Sequence, residues 1–211
     1  MKPSLHLGKE RGNSLVEFAL VLPFLLFLTF ATVDFSRALR VSNVLSNLTR
    51  EGANLMSRSA DSPQFAQFVM NALGDTALPY YADTGQGGTY FAQSSAILIT
   101  QITGKLNASN TVDATVTEQY RWLRSGATGV SSHLWNCSSG SWNSDGSCTM
   151  PATAPVISLT GLTGSDTLHD GDVFYAVEAF YGYRGMFGGL GFGMGTLIPA
   201  IGPNLYAVTM F

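Results

Sequence analysis

The sequence predicts an α+β protein: a long N-terminal hydrophobic/amphipathic helix packed on a C-terminal antiparallel β-sheet domain. Three observations carry this. Residues 15–33, LVEFALVLPFLLFLTFATV, are apolar except for Glu17 and the threonines, with one proline, Pro23. Beyond them Phe35, Ala38, Val41, Val44/Leu45, Leu48 and Leu55 recur at three- and four-residue steps, one stripe of a helix. The remaining apolar runs are β-branched or alternate with period two, and helices grouped ahead of strands indicate α+β.

The elements follow in order. A rise of about 1.5 Å per residue gives residues 15–33 a length of roughly 28 Å, close to a bilayer core of about 30 Å. The helix continues to about Ser57–Ser59, with Gly52 a weak point costing about 1 kcal/mol relative to Ala. Ser62-Pro63 predicts a second helix, with Ser as N-cap and Pro in the first turn. Phe65, Phe68, Val69, Ala72 and Leu73 form its expected apolar face, and Gly74 its expected end. Residues 75–95 carry Pro79, Gly85, Gly87 and Gly88 and are expected to form a loop. Strands are expected at 96–103, 112–123, 155–160, 173–183 and 205–211. In the second of these, Val112, Ala114, Val116, Tyr120 and Trp122 are expected on one side. Asp113, Thr115, Thr117, Gln119 and Arg121 are expected on the other, with Glu118 breaking the apolar face.

Composition narrows the function classes. Of 211 residues 45% are hydrophobic and only 12% charged, and the net charge is -3, which does not suit a nucleic-acid binder built on bulk positive charge. Thirteen Phe, 8 Tyr and 3 Trp can build a core, so disorder fits poorly. Charge is uneven: residues 1–59 carry 7 basic and 4 acidic side chains, residues 60–211 carry 4 and 10. That asymmetry suits a chain whose N-terminal end meets a membrane. Lys2, Lys9 and Arg11 precede the apolar run, which by the positive-inside rule keeps the first dozen residues cytoplasmic and exports the rest.

Three kinds of N-terminus compete. A secretory signal peptide would be cut near Thr29-Phe30-Ala31, but the apolar run is long for one and contains a carboxylate. A plain anchor helix has no use for Glu17, since a charge within a membrane helix is costly. A prepilin-type signal accounts for both features: a short basic leader ends at Gly12, cleavage falls before Asn13, and Glu17 becomes the fifth mature residue.

On these residues the sequence resembles the type IV pilin superfamily. The wider run RGNSLVEFALVLPFLLFLTFATVDFSRALRV is similar to the TadE-type pseudopilins of tight-adherence (Tad) pilus systems. Those share the Gly-x-x-x-x-Glu-[Phe/Tyr] start, here Gly12 to Glu17-Phe18. They also share a proline about six residues after the glutamate, here Pro23, and an acid-aromatic-x-Arg step, here Asp34-Phe35-Ser36-Arg37. A weaker resemblance runs from EAFYGYRGMF to NLYAVTMF, like the C-terminal hairpin of those proteins.

The resemblance implies a leader over 1–12, a transmembrane and amphipathic helix over 13–60, and an extracytoplasmic α+β domain over 61–211. It implies processing at Gly12/Asn13 by a prepilin peptidase and docking through Glu17, Phe18 and Pro23. Glu17 would meet the new N-terminal amine of a neighbouring subunit; the alternative is a neutral carboxyl reaching to the headgroups. Pro23 removes one helical hydrogen bond and allows either local melting on extraction from the bilayer or a mere kink. The implied partners are other pilin subunits, the Tad assembly platform and the inner membrane, and the implied destination is a periplasmic or extracellular pilus. A membrane-anchored adhesin that is not built into a filament is the alternative function.

The exported part offers further candidates. Cys137 and Cys148, the only cysteines, flank ten turn-forming residues, SSGSWNSDGS. Outside the cytoplasm they are expected to form a disulfide, stabilising by roughly 2.5–3 kcal/mol in the chain-entropy model. Two cysteines and His133 do not complete a zinc site. Trp135 and Trp142 are candidate partner contacts or pack on the disulfide. Asp166, His169, Asp170 and Asp172 offer oxygen ligands without EF-hand spacing, and Asp-Gly before a strand is ordinary turn chemistry. Phe187 and Phe192 lie in the glycine-rich run GMFGGLGFGMGTLIPAIG and are candidate partner contacts or fold over the core. The three Asn-x-Ser/Thr matches, at Asn47, Asn107 and Asn136, are chance matches in a bacterial pilin context. No nucleophile elbow, zinc-helix motif or phosphate loop occurs, so neither an enzyme nor a cofactor or metal is expected.

Overall fold

The computed structural model describes residues 11–58, 62–77, 89–127, 129–138, 141–158, 168–183 and 204–211. Among these residues three helices, α1 (Arg11–Met56), α2 (Pro63–Ala77) and α3 (Thr89–Ser94), precede five strands. These are β1 (Ser95–Leu106), β2 (Val112–Arg121), β3 (Val156–Ile157), β4 (Val173–Gly182) and β5 (Asn204–Met210). The strands form one sheet in the order β3-β2-β1-β4-β5, with every pairing antiparallel. The fold is α+β, as the helical and alternating patterns predict. The chain divides into two compact units. One contains α1 up to Arg40; the other contains α1 from Val41, the other two helices and the sheet.

Within the second unit, one face of the sheet carries Ile97, Ile99, Tyr175, Val177, Ala179 and Tyr181 against Val41, Leu45, Leu48 and Met56 of α1 and Val69, Met70 and Leu73 of α2. Fully burying a side chain such as Leu45 or Met56 contributes about 1.5–3 kcal/mol. The buried line on α1 includes Thr49, whose hydroxyl lies 2.9 Å from that of Thr209 on β5. It passes through Gly52, where a Cβ would stand 2.8 Å from Leu73 Cδ1 and 3.3 Å from Val177 Cγ1. The glycine expected as a weak point is therefore where helix and sheet approach closely. Phe35 and Leu55, expected on the apolar stripe, are exposed.

Ser62 caps α2: its hydroxyl accepts from Phe65 N at 3.2 Å. The helix does not stop at Gly74 but runs on to Ala77. Gly74 is buried under the Trp122 ring, and a Cβ there would lie 2.5 Å from Trp122 Cζ2. It serves close packing, not termination. The buried seam is Ala66, Val69, Met70, Leu73, Gly74 and Ala77, and Phe68 is 66% exposed, contrary to the expected face. Part of the expected 75–95 loop is α3, whose Phe91 is fully buried and stacks on Tyr181 at 5.7 Å.

β2 departs from simple alternation. The register passes from Gln101↔Glu118 to Ile102↔Val116, leaving Thr117 as an extra residue. Such a bulge reverses which side chains face which way. Ala114 consequently packs with Ile102 and Ala176 on one face, while Tyr120 and Trp122 join the helix-facing core on the other. Thr115 and Gln119, expected on a polar side, are buried at 5% and 1% exposure.

Candidate functional site: the apolar helix and the cysteine hairpin

α1 is helical through the whole of 15–33, including Pro23. Most of its apolar side chains there are exposed: Leu15 is 71% exposed, Phe18 59% and Leu20 74%. By length and composition the helix qualifies to cross a membrane. An apolar surface of this extent marks a membrane or protein contact. The hydroxyls of Thr29, Thr32 and Ser36 donate to the carbonyls of Leu25, Leu28 and Thr32, each at 2.8 Å, so these polar groups are satisfied within the helix. Glu17 is exposed near the N-terminal end of this run, and the Gly12-Asn13 backbone already lies within α1.

Residues 12–54 match the model of the TadE-like protein family. The match falls wholly within α1 and takes in Gly12, Glu17, Phe18, Pro23 and the Asp34-Phe35-Ser36-Arg37 step. The match covers 43 of the chain's 211 residues, and the likeness to TadE-like proteins is that of this helix. No curated protein and no solved structure gives a significant match. The TadE-like segment thus accounts for the helix, and the sheet unit is characterised by its own geometry.

On the sheet face away from the helices, Cys137 and Cys148 are bonded, with Cα atoms 6.0 Å apart. Residues 141–149 form a small hairpin: Asn143 N donates to Ser147 O at 2.8 Å, and Thr149 N to Ser141 O at 2.7 Å. Asp145 sits at its turn, where the Ser147 hydroxyl and amide donate to it and hold its carboxyl below the usual carboxylate range. Trp142 and Trp135 are both half-buried. Trp142 packs beside Ala96, Leu98 and Phe180, with the Arg121 guanidinium 5.1 Å from its ring centre.

Two buried polar side chains of the sheet hold the segment leading into this hairpin. Glu178, 0% exposed, accepts from the Ser132 hydroxyl, from His133 N at 2.9 Å and from the Tyr206 hydroxyl at 2.9 Å. The His133 ring lies tilted against that of Tyr206, with ring centres 4.3 Å apart. Burial, then the Glu178 charge and hydrogen bond, push the Tyr206 hydroxyl well above its ordinary range. Gln119 donates to Thr100 Oγ1 at 3.0 Å and to Trp135 O at 2.7 Å, and accepts from Cys137 N at 3.1 Å. Sequence reasoning missed both. The signal for Glu178 was a lone acid inside the apolar run VFYAVEAFYGY.

The other candidates are quickly placed. Asp170 accepts from Leu106 N and Asp172 from His169 N, each at 2.8 Å, around Gly171 at φ 88°. The second is a bond within the turn, and the first ties that turn to the end of β1. Among the described residues, no three or more His, Cys, Asp or Glu gather as a metal site. Asp166, Phe187 and Phe192 lie outside the described residues.

Proposed function

We propose that this protein is a minor pilin or pseudopilin. It is inserted in the inner membrane, processed after Gly12 by a prepilin peptidase, and incorporated into a Tad-type pilus or used to prime one for surface adhesion. The observation that carries this is the TadE-like match from Gly12 to Asn54, lying on a helix whose apolar half is exposed. In this role Glu17, Phe18 and Pro23 act in subunit docking, Phe187 and Phe192 contact a partner, and the chain performs no catalysis. The test is the mass of the mature protein from membranes of a cell with an intact Tad system. A terminus at Asn13 is expected; one at Thr32 would establish a secretory signal, and an intact Met1 a plain anchor.

A further inference from the structure

β2 lies beside the margin of the sheet, and β3 pairs only with its Ala114 and Thr115. From Gln119 to Arg121 a different element covers its outer edge. Cys148 N donates to Gln119 O and Arg121 N to Gly146 O, both at 2.8 Å, and Tyr120 stands opposite Ser147. The covering element is the 141–149 hairpin. Its sequence, SWNSDGSCT, contains no aliphatic side chain, and a two-stranded hairpin alone is marginally stable in water. An exposed strand edge is a template for unwanted pairing, which folds prevent by covering it. Here the cover is fastened covalently, through Cys148 to Cys137, whose own N–H is held by the buried Gln119.

We propose that residues 141–149 are an edge guard for β2, that the Cys137–Cys148 disulfide is its lock, and that a dithiol reductant unlocks it. The dithiol supplies two electrons and two protons. The Cys137–Cys148 bond breaks, two thiols form, and the reductant closes to its own disulfide. The Gln119 carbonyl and the Arg121 N–H then open to solvent, while the Arg121 carbonyl keeps its bond from Gln67 of α2 and the helix-backed strands β1 and β4 stay closed. The fold thereby reports the redox state of its surroundings at one sheet edge.

The test is amide hydrogen exchange on the full chain in detergent micelles, oxidised and after dithiothreitol. Reduction is expected to speed exchange at Arg121 and Cys148 by about tenfold or more, with the amides of β1 and β4 changed less than about twofold. The Cys137→Ser/Cys148→Ser chain is expected to match the reduced one without reductant. If the double variant does not fold, reduction of the already folded chain decides alone. Unchanged exchange at Arg121 would overturn the lock, because the hairpin would hold without it. A uniform rise through β1 and β4 would overturn the guard, because the disulfide would then be holding the whole unit.

Discussion

Glu178 is a carboxylate without solvent exposure in the middle of a strand that is otherwise mostly apolar. Burying such a group is costly unless its oxygens are satisfied. Three donors from two directions do so: Ser132 and His133 from the covering segment, Tyr206 from β5. Removing the acceptor strands all three. Glu178→Ala is therefore expected to lower unfolding free energy by about 3 kcal/mol, read from urea unfolding of the full chain in micelles. A loss under about 1 kcal/mol would show that water replaces the carboxylate. Tyr206 adds a pH dependence with a definite sign. Its folded pKa is raised above the ordinary 10.0, so the unfolded chain releases this proton first as pH rises. The contribution is complete below pH 10, and is lost progressively as pH climbs from there toward the folded value. Urea midpoints from pH 8 upward are expected to fall more steeply for the parent chain than for Tyr206→Phe.

At the scale of elements, two helical glycines separate packing from propensity. Both α1 and α2 would gain about 1 kcal/mol of helix propensity from Gly→Ala. At Gly74 the new Cβ meets a rigid indole at 2.5 and 2.6 Å. Gly74→Ala is expected to destabilise by about 1–3 kcal/mol, the range of overpacked cores. At Gly52 the nearest atom is the end of the flexible Leu73 side chain, with Val177 Cγ1 next at 3.3 Å. Gly52→Ala is therefore expected within about 1 kcal/mol of neutral, the propensity gain offsetting the strain. Thermal unfolding of both variants checks the order, and a more damaging Gly52→Ala would refute it. These glycines also show what the sequence made legible. Helical periodicity and the Ser62-Pro63 start placed α1 and α2 because each is a local signal. Gly74 looked like a stop, since its reason for being small lies on Trp122, distant in sequence. In β2 the alternation was visible, but the extra Thr117 that turns Ala114 and Tyr120 to opposite faces is fixed by pairing with β1. Gln119 looked like a solvent-side residue because the segment that covers it, bonded through Trp135 O and Cys137 N, comes later in the chain. The cysteines were legible as a pair from the turn-rich loop between them. Their place over the β2 edge was not, because it depends on the sheet order.

On the scale of the whole molecule, the first 59 residues carry a net charge of +3 and the remainder −6, with the apolar run of α1 near the start. Such a chain has one end suited to a membrane and another suited to water, and the TadE-like match lies on the first. In the proposed pilin, two residues of that end act at different steps, so their variants separate. Gly12 precedes the bond to be cut, where a peptidase must approach the backbone with no side chain intervening. Gly12→Ala is expected to leave the precursor uncut, with its intact mass seen in the membrane fraction. Glu17 comes later. A lone carboxylate in hydrocarbon is costly, whereas one paired with a neighbour's terminal amine is tolerable and favours a single docking register. Removing one partner of such a pair costs about 3 kcal/mol or more, roughly a hundredfold in the docking equilibrium. Glu17→Ala should then still yield a terminus at Asn13 and a normal amount in the membrane, yet be strongly depleted from sheared filaments. Equal recovery of parent and Glu17→Ala in those filaments would remove the pairing while leaving the processing step intact. A Glu17→Ala chain that stays uncut would instead place Glu17 in recognition by the peptidase, not in docking.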